Sequence, residues 1–282
     1  MIRVISQGGL GNQLFCLAFI HYLRNKTDKK IVLSSLNHKT NESLLVEEFL
    51  DFCQHEIYIK KDPILNTVLK IRDKIAVTLD SNLPDKILGM KNFVNVHEYE
   101  IVIDEHGIYR GFFQSSELIQ EIKSSFVNEL QMSVEKKTAN SLAKIGKLAK
   151  MYDAIHIRRG DYVNGKDVYG LLSYKYYDSL ISNQKNLVIS TDDKTILDSI
   201  RNHFPDALVI DPQHCTAIEA FVILSRAKKL YTANSTFSWW AGIVANQFGA
   251  VVYCPEPWYK KDLFLGNQLK NSNFHYRTAI FE

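Results

Sequence analysis

Two adjacent arginines, Arg158 and Arg159, follow the β-branched run AIHI and are succeeded at once by Gly160 and Asp161. A guanidinium is permanently charged and donates in a fixed planar fork, which suits the oxygens of a pyrophosphate. If DAIHI is a strand, Ile155 and Ile157 face one side and His156 and Arg158 the other, with Gly160 ending it. The plain alternative is an ordinary ion pair between one arginine and Asp161. An adhesive RGD tripeptide fits poorly directly after an apolar, strand-like run.

Three further stretches have residue types suited to a polar ligand. In QGGLGNQLF, residues 7–15, Gly9 and its neighbours permit close backbone approach, and a helix opening near Asn12 offers unpaired N–H groups. A tight turn between strand and helix is the simpler reading. The spacing is not GxGxxG, and KIVLSS has no acidic residue for a ribose, which argues against a nicotinamide site. In VISTDDK, Asp192 and Asp193 suit ribose hydroxyls, a divalent metal, or the N-terminus of the next helix. In YTANSTFSWWAG, Ser235, Thr236 and Ser238 form a hydroxyl-rich turn before a helix, either a phosphate cradle or a set of N-caps. Phe237, Trp239 and Trp240 anchor that helix.

These loops need a scaffold, and the pattern supplies one. Short β-branched runs (IRVIS, KIVLSS, EIYIK) alternate with helical stretches at 12–25, about 43–53 and about 63–78. NFVNV and GIYRGFF are weaker strand candidates before a polar helical region at about 115–150, which Ser115 or Ser116 can cap. A second alternation runs through DAIHIR, NLVIST, ALVI, KLYTA and AVVYC, with helices near 173–183, 193–203, 215–227 and 236–247. Such alternation predicts parallel sheets, and 282 residues exceed one ordinary core. Two α/β halves joined near residue 150 are expected, with ligands beyond the carboxyl ends of the strands.

Composition excludes several partners. A net charge of +3 gives no stripe for nucleic acid and no polybasic membrane segment. The four cysteines, Cys16, Cys53, Cys215 and Cys254, lack zinc-ligand spacing and read as reduced core thiols. Met1 leads straight into IRVIS, and no apolar run reaches the roughly 18 residues of a membrane span, so a cytoplasmic chain is expected.

Taken together, GGLGNQLF, GFFQSS, HIRRGDYV, STDD and NSTFSWWAG resemble, in order and spacing, the bacterial α-1,2-fucosyltransferases, from residue 1 to about 258. The resemblance implies an α/β chain of two Rossmann-like domains facing across a cleft (GT-B type). Residues 1–150 would be the acceptor-side domain, and 151–282 would bind GDP-fucose. It implies an inverting transfer to the 2-hydroxyl of a terminal β-galactoside, with no metal and no cofactor beyond the donor. A lipid-linked acceptor would bring the protein to the inner membrane as a peripheral guest.

By the same resemblance, Arg158 is the main diphosphate ligand, Arg159 a supporting charge and His156 a nucleoside contact. Ser235, Thr236 and Phe237 form the second phosphate contact. Asn12 faces the fucose, while Gly9 and Asp192 stand as ligand candidates on their residue types alone. Asp161 is the nearest carboxylate to serve as base, or else it orients the arginines. The chain departs from relatives where they place a guanine-contacting Asp, having Ala220 with Glu219 one residue earlier, and it lacks a His near Lys229. Two other readings stand beside this one: a transferase for another nucleotide sugar, and a glycan- or nucleotide-binding protein without turnover.

Overall fold

The computed structural model describes residues 1–6, 8–35, 45–46, 58–61, 90–93, 103–104, 106–181, 185–261 and 269–282. It divides into two compact units, Met1–Phe126 and Val127–Glu282. The division falls inside a long helix, upstream of the expected junction near residue 150, because the first turns of that helix contribute Leu118, Ile119 and Ile122 to the buried residues of the first unit.

In the first unit, β1 (Ile2–Ser6), β2 (Ile31–Ser35), β3 (Tyr58–Lys61), β4 (Met90–Phe93) and β5 (Ile108–Gly111) form a parallel sheet ordered β3-β2-β1-β5-β4. The helix α1 (Leu10–Arg24) is buried on almost every side, as expected for a helix apolar around its whole circumference. It starts two residues before Asn12. The long helix α2 (Ser116–Ala143) is capped by Ser115, whose Oγ accepts from the Leu118 N–H at 3.3 Å. It stops ahead of Gly146, which adopts a left-handed φ of 54° and opens a 3-10 segment, Gly146–Lys150. The helices expected at about 43–53 and 63–78 lie outside the described residues except for positions 45–46.

The second unit contains α3 (Lys166–Tyr169), α4 (Tyr174–Asp178), α5 (Leu197–His203), α6 (Ala217–Ser225) and α7 (Thr236–Gln247). Its six described strands are β6 (Asp153–Ile157), β7 (Leu187–Thr191), β8 (Leu208–Ile210), β9 (Lys229–Tyr231), β10 (Val251–Glu256) and β11 (Phe274–Thr278). All pair in parallel in the order β11-β10-β9-β6-β7-β8. Counting β6 as first, this is the 3-2-1-4-5-6 order of a Rossmann-type sheet, with its switch point between β6 and β9. Burial on both faces explains why LVIST reads as one continuous run, every residue of it buried.

The core of this unit gathers Ile155, Ile189, Tyr176, Tyr177, Phe204 and Tyr231. Trp239 and Trp240 are fully buried, and Trp239 Nε1 donates to the Leu269 carbonyl at 2.6 Å. Burying each such ring is worth about 1.5–3 kcal/mol, which fixes the helix behind the hydroxyl-rich turn. Cys16, Cys215 and Cys254 are buried free thiols; Cys53 lies outside the described residues.

Candidate active site

The parallel registers put the ends of β6, β7 and β9 side by side: Ile157 faces Thr191, and Ile155 faces Tyr231. The loops HIRRGD, STDD and ANSTF therefore leave one sheet edge at its switch point, the usual place for a ligand in such a sheet. Two contacts join the first of these loops to the third. The His156 and Phe237 rings lie 5.2 Å apart, and Tyr162 Oη donates to the Asn234 carbonyl at 3.0 Å. Asn234 in turn donates through Nδ2 to the Tyr169 carbonyl at 2.9 Å.

Arg158 stands between two carboxylates. Its Nη2 meets Asp161 Oδ1 at 2.5 Å, and its Nη1 meets Asp192 Oδ2 at 2.7 Å. Its guanidinium also lies 5.3 Å from the centre of the Tyr162 ring. The carboxylates differ in setting, the Asp161 side chain being 73% exposed and that of Asp192 24%. Asp192 does more, since its Oδ1 accepts from the Arg159 backbone N–H at 2.8 Å. Burial pushes its carboxyl up from the ordinary value, and the Arg158 charge and Arg159 N–H pull down without cancelling that. Gly160 makes the arrangement possible: its φ is 28°, and a Cβ there would run into the Asp192 carboxylate.

The helix-capping role open to Asp192 and Asp193 is divided. Asp193 is the cap, accepting from the Thr195 N–H at 2.8 Å, whereas Asp192 turns toward the arginine loop. Arg159, which like Arg158 lies beyond the end of β6, takes a different side-chain partner. It is buried, its Nη2 pairs with Glu282 Oε1 at 2.5 Å, and its charge acts on the buried Tyr177 hydroxyl.

His156 is fully enclosed. Burial, followed by the Arg158 charge, lowers its pKa to about 3, so the imidazole is neutral near pH 7. Its Nδ1, Arg158 Nε and Arg159 Nη1 are buried with no hydrogen-bond partner among the described residues. Polar atoms left so carry a free-energy cost that a further partner would remove.

Ser235 occupies the N-cap position of α7, but its side chain makes no cap bond there, contrary to the capping alternative. The first helical bond runs from the Trp239 N–H to the Ser235 carbonyl at 2.9 Å, so the turn sits at the positive end of the helix dipole. Ser238 Oγ is turned inward, to the Ala233 and Ser235 carbonyls at 3.3 and 3.2 Å. Thr236 and Phe237 are half-buried at the same turn, and Phe237 packs against Phe221 as well as His156. Glu219 is committed to a capping box: its Oε2 accepts from the Thr216 N–H at 2.8 Å, and Lys144 Nζ lies 3.5 Å from its Oε1. That N–H contact is the main cause holding its carboxyl below the usual value.

In the first unit the switch point lies between β1 and β5. Gly9 is the N-cap of α1, with an ordinary φ of −75° and room for a Cβ. The glycine the turn requires is Gly8, whose φ is 77° and whose Cβ would come within 2.5 Å of Asn12 Nδ2. Asn12 Oδ1 accepts from Gln114 Nε2 at 3.0 Å, which brings GGLGNQLF and GFFQSS together. Gln13 is buried and structural, donating to the Gly8 carbonyl at 3.0 Å and accepting from the Val46 N–H at 3.2 Å. Among the described residues no three His, Cys, Asp or Glu side chains gather as metal ligands would, and no described helix is long and apolar enough to cross a membrane.

Fold and site together define a Rossmann-like α/β protein with a carboxylate-held arginine at its switch point. The chain belongs to glycosyl transferase family 11, whose profile matches residues 1–276, and it is a glycosyltransferase. It is similar to the O-antigen biosynthesis glycosyltransferase WbnK of Escherichia coli, 24% identical over 89% of this chain and 93% of that protein. It is also similar to an Escherichia coli alpha-1,2-colitosyltransferase, 31% identical over 39% of this chain and 41% of the relative. Among solved structures, the fucosyltransferase NodZ from Bradyrhizobium matches with a TM-score of 0.45 at 14% identity, covering 85% of this chain and 91% of that one.

Proposed function

We propose that this glycosyltransferase moves L-fucose from GDP-β-L-fucose to the 2-hydroxyl of a terminal β-galactoside, with inversion, forming an α-1,2 linkage in a surface glycan or oligosaccharide. The observation that carries the reading is Arg158, held by Asp192 at the edge where α7 also begins, with no cap bond from the Ser235 side chain. As the bond from fucose to diphosphate breaks, negative charge builds on the leaving phosphate. A guanidinium fixed in advance and a set of helix N–H groups stabilise that charge without reorganising at the moment of reaction. A neutral His156 adds no positive charge of its own and leaves its ring to a nucleoside contact.

The acceptor hydroxyl attacks the opposite face of the fucose as oxocarbenium character develops. Asp161 is already paired with Arg158, and its role in this reading is to occupy Arg158 until phosphate arrives. No metal enters, since the guanidinium and the helix turn supply the positive potential. A lipid-linked acceptor would bring the protein to the inner membrane face as a peripheral partner.

A second donor is favoured by one finding, the similarity to an alpha-1,2-colitosyltransferase over part of the chain. Colitose is fucose without its 3-hydroxyl. Release of GDP from GDP-fucose and from GDP-colitose, each with and without a β-galactoside, separates the two. Acceptor-dependent release from GDP-fucose supports the proposal, and release from GDP-colitose alone replaces its donor.

A further inference from the structure

The first unit holds a cluster that the diphosphate chemistry does not use. After β5 ends at Gly111, Phe112 is 36% exposed, Phe113 is fully buried and Gln114 is half-buried. Phe113 has a φ of 51°, a left-handed conformation rare for a bulky residue and typical of functional sites when the surroundings enforce it. Packing enforces it here: the Phe113 ring stacks on Phe19 of α1 with centroids 4.2 Å and planes 4° apart. The resulting turn leaves Phe112 in solvent and lets Gln114 reach Asn12 on α1.

A single exposed aromatic carries no message. This one stands one residue from a strained position and two from Gln114 of the carboxamide pair, at the carboxyl edge of the neighbouring strands β1 and β5. A pyranose has a C–H-lined apolar face that stacks on a ring, and hydroxyls that donate and accept, as carboxamides do. Gln114, donating to Asn12 Oδ1, fixes the orientation of that amide.

We propose that Phe112 is the stacking platform of a pyranose subsite in the first unit and that Gln114 is a positioning residue acting through Asn12. The proposal deepens the transferase reading and rests on it, and its ligand is an uncharged sugar ring from either acceptor or donor. The test compares wild type with Phe112→Ala, Phe112→Trp and Gln114→Ala. It measures both KM values, kcat, acceptor-independent hydrolysis of GDP-fucose, melting temperature, and saturation-transfer NMR with methyl β-galactoside and methyl α-fucoside.

Phe112→Ala is expected to raise one KM about tenfold with kcat within about twofold, and Phe112→Trp to restore it. Gln114→Ala is expected to raise the same KM at an unchanged melting temperature. A raised acceptor KM with hydrolysis unaltered assigns the subsite to the acceptor; a raised donor KM with slower hydrolysis assigns it to the donor sugar. Both KM values unchanged in Phe112→Ala would overturn the subsite while leaving the transferase reading intact. If wild type transfers no fucose, that reading fails by itself, and the NMR still decides the subsite. Saturation transfer lost in Phe112→Ala supports it, whereas equal transfer in both proteins, or none in wild type, rejects it.

Discussion

Asp161→Asn separates three roles for one carboxylate by the sign of its effect. The local charge count is unfavourable to an anion: Arg158 and Arg159 face Asp161, Asp192 and Glu282. A diphosphate must therefore displace something, and Asp161 is the most exposed of the three and holds only Arg158. An exposed ion pair is worth about 0.2–1 kcal/mol, so removing the competitor should tighten GDP binding by up to about fivefold. Asp192→Ala should do the opposite, because it removes the partner of Arg158 Nη1 and the acceptor for the Arg159 N–H together. Hydrogen bonds to charged groups contribute about 1.5–3 kcal/mol, and lifting a negative charge from beside the phosphate offsets part, so a loss of about tenfold is expected. Isothermal calorimetry with GDP reads both variants. A tenfold weakening in Asp161→Asn would refute the displacement argument and make Asp161 the orienting group. Unchanged affinity with collapsed kcat would make it the catalytic base.

Arg158→Ala should lower kcat about a hundredfold or more, and Arg158→Lys should recover little of it, because a point charge cannot reproduce the fork; steady-state kinetics with near-normal turnover in the lysine variant would remove the diphosphate role. Transfer should survive EDTA, and complete loss restored by a divalent ion would make the turn at Asp192 and Asp193 a metal site. His156 has its pKa lowered from 6.5 to about 3, so the unfolded chain binds a proton that the folded one refuses between those values. Stability is then fully present above pH 6.5 and falls as pH drops toward 3, by about 1.4 kcal/mol per pH unit for one proton. Urea titrations of wild type and His156→Phe from pH 7 to pH 4 should show that slope reduced in the variant, and equal slopes would contradict the buried neutral imidazole.

The strands of the second unit were legible because parallel strands covered on both faces are unbroken apolar runs, and LVIST and AIHI are such runs. β11 was missed since FHYRT is a mostly exposed edge strand, with only Phe274 buried. The arginine loop announced itself through residue types that an ordinary surface turn seldom combines. Its geometry did not: whether Asp192 caps a helix or braces Arg158 depends on the pairing of β6 with β7, a contact between segments far apart in the chain. The ion pair of Arg159 with Glu282 could not be read locally, because that partner is far along the sequence. Gly9 was singled out where Gly8 is the constrained position, because a glycine pair does not reveal which member has positive φ. Gln114 lies in GFFQSS, one of the stretches that carry the resemblance, but its bond to Asn12 depends on the pairing of β1 with β5.

The most direct test of the proposed reaction is to incubate the protein with GDP-fucose and a set of β-galactosides and read the product linkage by NMR. The account predicts a single α-anomeric fucose on the 2-hydroxyl of galactose, formed together with one GDP. Fucose on any other hydroxyl, a β-anomer, or transfer only from a different nucleotide sugar would contradict it.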